Sequence, residues 1–107
     1  MPCKTYYYPT YMPTIYSVAS NINNTVLNIN GSNFLPPACG TTFVNFGLFT
    51  NLPIIFYSSY NISFVIPIEA ISGNHSITVV NVYNINLRNH SYAGTNNYSN
   101  SITYTKE

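Results

Sequence analysis

Chemistry in this chain would have to come from very few side chains. It has two carboxylates (Glu69 and Glu107), two histidines (His75 and His90) and two cysteines (Cys3 and Cys39). Glycosidase chemistry needs two carboxylates flanking one bond, and Glu69 has no evident mate, because Glu107 is the last residue. Two histidines without an acidic or thiolate third ligand fall short of a zinc site. A Ser-His-Glu triad lacks a nucleophile-elbow motif to support it. The expectation is a protein that is not an enzyme and that carries no cofactor and no metal.

The cysteines leave two readings open. A bridge from Cys3 to Cys39 would tie the N-terminal segment to a proline-rich connection, worth roughly 3–4 kcal/mol under the chain-entropy model. Two reduced thiols are the other reading, since the N-terminus MPCKTYYYPTYMP has no apolar core of a signal peptide and disulfides belong to oxidising compartments. Six Asn-x-Ser/Thr sequons, at Asn23, Asn30, Asn61, Asn74, Asn89 and Asn97, are close to what the abundance of these residues produces by chance. Without a secretion route they would stay unmodified.

Only 5% of the residues are charged, where about a quarter is usual. Lys4, Arg88 and Lys106 are the only Lys or Arg residues. Nucleic-acid affinity rests on roughly 6–10 basic contacts to phosphate, so three scattered cations exclude nucleic acid as a main partner. No apolar run reaches the roughly 18 residues that a membrane-spanning helix needs. A chain this poor in ionic groups lacks colloidal repulsion and favours association with other protein.

The elements that would position any site are strands. The 11 tyrosines and 6 phenylalanines, with many Val, Ile and Thr and no helical periodicity, read as all-β. The segment NTVLNINGSNF (24–34) is central: Leu27 and Ile29 alternate against Asn28 and Asn30, Phe34 reaches the apolar side past the corner, and Gly31 sits where the chain bends or takes positive φ. Further strands are expected at 14–20, 41–47, 54–59, 61–67 (Ile62, Phe64 and Ile66 inward), 75–83 (Ile77 and Val79 inward) and 100–105. Turn residues every 8–12 positions make a two-sheet β-sandwich of about seven strands. Residues 1–13, with Pro2, Pro9 and Pro13, read as an extended arm. It carries Tyr6, Tyr7, Tyr8 and Tyr11, and either folds back on the domain 14–107 or docks on a neighbour.

Six segments in order, PTIYSV, NTVLNINGSNF, TTFVNFG, NISFVIP, GNHSITVVN and SNSITYT, resemble the IPT/TIG family from Pro13 to Thr105. The resemblance implies an immunoglobulin-like fold. Two departures stand out: Leu48 replaces a frequent second glycine, and NVYNINLRNHSYAGTNNYSN (81–100) lengthens the last hairpin. That hairpin offers Tyr83, Asn86, Arg88, Tyr92 and Tyr98 as a contact surface for protein or, less in keeping with the composition, for a glycan.

Together these readings predict a structural building block whose partners are other protein subunits, most simply in a virion or another intracellular assembly. The alternative is an extracellular recognition module that binds protein or glycan through the last hairpin.

Overall fold

Alternation of apolar and polar residues at period two, punctuated by Asn, Gly and Pro, folds the chain into strands only. The computed structural model describes residues 12–83, 86–87, 90–91 and 96–107, the side chains of 84–95 excepted. The strands are β1 (Thr14–Ser20), β2 (Val26–Ser32), β3 (Gly40–Phe46), β4 (Phe49–Pro53), β5 (Ile55–Ser58), β6 (Asn61–Val65), β7 (Gly73–Tyr83), β8 (Asn86–Leu87), β9 (His90–Ser91), β10 (Asn96–Tyr98) and β11 (Ile102–Lys106). All pairings are antiparallel, and no helix occurs among the described residues.

One sheet has four strands in the order β1-β2-β6-β5. The second has five, ordered β10-β7-β3-β4, with β11 also on β7. β7 is long enough to take β11 along its first half and β10 along its second on the same edge. β8 and β9 form a separate small ladder inside the lengthened hairpin.

The two sheets face each other across one apolar core. Ile15, Leu27, Ile29, Ile62 and Phe64 enter it from the four-stranded sheet; Val44, Phe46, Ile77 and Val79 enter from the other. Phe46 and Phe64 meet across the interface with ring centres 5.7 Å apart. Each such side chain contributes about 1.5–3 kcal/mol by leaving water, so the core outweighs any surface pairing available to a chain with five charged groups.

A bulge in β1 shows how register serves this core. The pairing shifts between Ile15 and Ser17, which leaves both Tyr16 and Ser17 exposed. Ile15 and Val18, three positions apart, then both face inward, which plain alternation would forbid.

Gly31 is required by space, not by backbone sign. It lies inside β2 without positive φ, and a Cβ there would sit 2.0 Å from the Thr14 carbonyl oxygen and 2.6 Å from the Phe34 ring. The segment Phe49–Pro53, which falls between the strands expected at 41–47 and 54–59, is an edge strand. It pairs with β3 alone, where a proline removes no ladder bond and Asn51 takes φ 57°.

Candidate functional site

The strand directions sort the loops into two poles. At one pole lie the β1–β2 turn, the β3–β4 turn, the 66–72 loop and the C-terminal end of β11. The Thr25 carbonyl accepts from the Ile66 N–H at 2.8 Å, the Tyr104 hydroxyl donates to Asn24 Oδ1 at 2.7 Å, and the Gly47 N–H donates to the Ser76 carbonyl at 2.9 Å. The opposite pole holds Met12, Asn33, Tyr60, the start of β3 and the end of β7.

The first pole carries an unusual surface. Leu48, Ile22, Ile68 and Ile71 are 99%, 96%, 92% and 76% exposed, and all four stand on its loops. Leu48, Phe49, Glu69, Ile71 and His75 line a groove of about 380 Å³ between the β3–β4 turn and the 66–72 loop. The local sequence builds these loops rigidly. The Asn21 side chain caps its own turn, accepting from the N–H groups of Thr25 (2.8 Å) and Val26 (3.0 Å). Gly47 takes φ 59° to close the β3–β4 turn, which lifts Leu48 clear of the sheet.

His75 forms the groove floor. Its ring stacks on Phe46 at 4.6 Å and 18°, and Nε2–H donates to the Ile71 carbonyl at 2.7 Å. A carbonyl can only accept, so this bond places the proton on Nε2 and fixes the loop to β7. His75, expected at the start of a strand, lies near the start of β7, half-buried, and holds the loop that carries Ile71. Among the described residues no group of three or more His, Cys, Asp or Glu is placed to hold a metal ion. No helix there is long and apolar enough to cross a membrane.

The residues expected to form contact surfaces fare differently. Tyr83 is buried: alternation along β7 turns Ile77, Val79, Asn81 and Tyr83 to the same side, so its ring is enclosed and cannot meet a partner. Burial pushes its hydroxyl pKa up to about 12. Tyr98 is exposed on β10, opposite Val80. Asn86 lies in β8, described by its backbone alone. Tyr6, Tyr7, Tyr8, Tyr11, Cys3, Arg88 and Tyr92 lie outside the described residues. Cys39 is wholly buried and disulfide-bonded, in a chain whose one other cysteine is Cys3.

Two polar arrangements escaped the sequence reading. Asn81, fully buried, accepts at Oδ1 from the Leu35 N–H (3.3 Å) and the Thr42 hydroxyl (3.2 Å), and donates from Nδ2 to the Asn33 carbonyl (2.8 Å). Asn61 donates from Nδ2 to Asn28 Oδ1 (2.8 Å) and Asn30 Oδ1 (3.0 Å) on the outer face of the four-stranded sheet. A polar residue at an inward position was the available signal for Asn81; nothing local marks the Asn61 cluster in a chain this rich in asparagine.

Comparisons with models of known protein families, with curated proteins and with solved structures each found no match.

Proposed function

We propose that the chain is a non-enzymatic structural protein, an immunoglobulin-like building block of IPT/TIG type that packs into a larger assembly, with a virion the assembly its composition fits best. The observation that carries this reading is the pole whose loops expose Ile22, Leu48, Ile68 and Ile71 to water, Leu48 and Ile71 lining its groove. Lone exposed aliphatics are ordinary, but four of them gathered on adjacent loops mark a surface that another protein covers. Covering one such side chain is worth about 1.5–3 kcal/mol, and repeated weak contacts suffice in a multivalent lattice. The scarcity of ionic groups over the whole chain, five in 107 residues, supports association with other protein, and three of them, Glu69, Lys106 and Glu107, stand at this pole, where a neighbour would meet them.

The test is sedimentation over a wide concentration range. The wild-type chain is expected to self-associate, and Leu48→Ser with Ile68→Ser and Ile71→Ser to remain a folded monomer. A wild-type chain that stays monomeric at the highest attainable concentration, or a triple variant that associates equally well, removes the reading.

The disulfide at Cys39 favours a second reading, an extracellular recognition module, because such bonds persist in oxidising compartments. Alkylation of native material before reduction tests it: a Cys39 thiol that takes the label argues against secretion.

A further inference from the structure

We infer that the outer face of the four-stranded sheet is a binding platform for a neutral polysaccharide, with the Tyr57 ring as its stacking surface. This goes beyond the assembly reading and does not depend on it: the face lies on the side of one sheet, away from the exposed aliphatic loops.

The argument begins with Tyr57 and Ser63. In β5, Phe56 packs on the core and Ile55 points outward opposite Ser63; the register shifts between Phe56 and Ser58, which puts Tyr57 at a bulge, exposed to solvent. Along β6, Ile62 and Phe64 point inward, so Ser63 points outward with Asn61 and Val65. Ser63 is nevertheless only 2% exposed, while Tyr57 is 59% exposed, and the Ser63 hydroxyl donates to the Tyr57 oxygen at 3.4 Å. The tip of the Tyr57 side chain therefore reaches Ser63, whose own neighbours across the ladders are Asn28 and Ile55, while most of the residue stays open to solvent. An exposed ring tethered at its hydroxyl offers its electron-rich face to the C–H groups of a pyranose.

Beside the ring stand the side-chain amides. Asn61 pairs with Ser58 on one flank and with Asn30 on the other, and its Nδ2 ties Asn28 and Asn30 into one array. Asn30 is exposed, and its own Nδ2 has only a 3.5 Å contact with Ser17 Oγ, leaving donor capacity directed at solvent. Ordered amides and hydroxyls at strand spacing are suited to the paired donors and acceptors of vicinal sugar hydroxyls.

The same face offers nothing to an anion. β1, β2, β5 and β6 contain no charged residue, so phosphate, sulfate and sugar acids would find no cation. An apolar protein surface laid over the Asn28–Asn30–Asn61 array would strip water from amides without replacing its hydrogen bonds. Neutral hydroxyls replace them.

The experiment is a titration of the ¹⁵N-labelled full chain with cellohexaose, xylohexaose, mannohexaose and chitohexaose, with a hyaluronan hexasaccharide as the acidic control. At least one neutral oligosaccharide should move the amide signals of β2, β5 and β6. Tyr57→Ala should weaken that binding by at least about tenfold and Tyr57→Phe by no more than about threefold, both variants keeping the native spectrum. Any of four results would overturn the inference: no shift with any neutral sugar up to its solubility limit, shifts that map outside this sheet, binding indifferent to Tyr57→Ala, or equal binding of the acidic control.

Discussion

Asn100 holds both hydrogen-bonding groups of Ile15: its Oδ1 accepts from the Ile15 N–H at 2.7 Å, and its Nδ2 donates to the Ile15 carbonyl at 3.1 Å. A side-chain amide here does what a neighbouring strand would do, sealing one rung of the open edge of β1 across 85 residues of sequence. Tyr16, the next residue, completes the protection by bulging out of register. Asn100→Ala should therefore cost about 1–2 kcal/mol in urea denaturation. It should also speed hydrogen exchange at the Ile15 amide more than at amides in β6.

Close approach, not turn geometry, fixes Gly31. Gly31→Ala would drive a methyl group into the Thr14 carbonyl, which belongs to backbone and cannot swing aside. We expect a loss of about 3 kcal/mol or more, read as a lower denaturation midpoint. Gly73 makes the contrast: a Cβ there meets nothing within 4 Å, so any cost at that position comes from its φ of 121° alone.

The Asn81 network joins the 33–35 segment to β3 and β7. Asn81→Ala orphans the Asn33 carbonyl and should cost about 2–4 kcal/mol. Asn81→Asp should be worse at neutral pH, because its carboxylate cannot donate to that carbonyl and brings a charge into a dry core. Equal melting temperatures for the two variants would contradict this account.

Tyr83 supplies a pH signature. Its pKa, raised to about 12 by burial, exceeds the value of about 10 it has in an unfolded chain. The folded state thus holds this proton more tightly. The associated stability is fully present below pH 10 and drains away as pH rises through about 12. Absorbance at 295 nm should show one tyrosine ionising after the exposed ones, and Tyr83→Phe should abolish that late step.

Much of the fold was readable from alternation. The residues 14–20 form the strand expected of them, and Leu27, Ile29, Phe34, Ile62, Phe64, Ile66, Ile77 and Val79 are all buried as their spacing requires. The expectation for Tyr83 failed through stopping too soon: the rule that sends Ile77 and Val79 inward also sends Asn81 and Tyr83. Phe49–Pro53 was illegible because Asn51 and Pro53 break up a five-residue run, and it becomes a strand by pairing with the edge of β3. The exposed aliphatic pole was illegible for another reason. Ile22, Leu48, Ile68 and Ile71 are scattered along the chain, and only the strand directions bring them together. Asn100 and Asn81 act over separations of 85 and 46–48 residues, where composition carries no information.

The chain enters its first strand at one pole and finishes its last at the other, with β1 and β11 pointing the same way. A tensile load between Thr14 and Lys106 would thus run along the strands, loading the β1–β2 ladder and the Asn100 clamp in shear, all rungs together, instead of unzipping them singly. Such a geometry resists extension as a tie-rod does, every rung sharing the load.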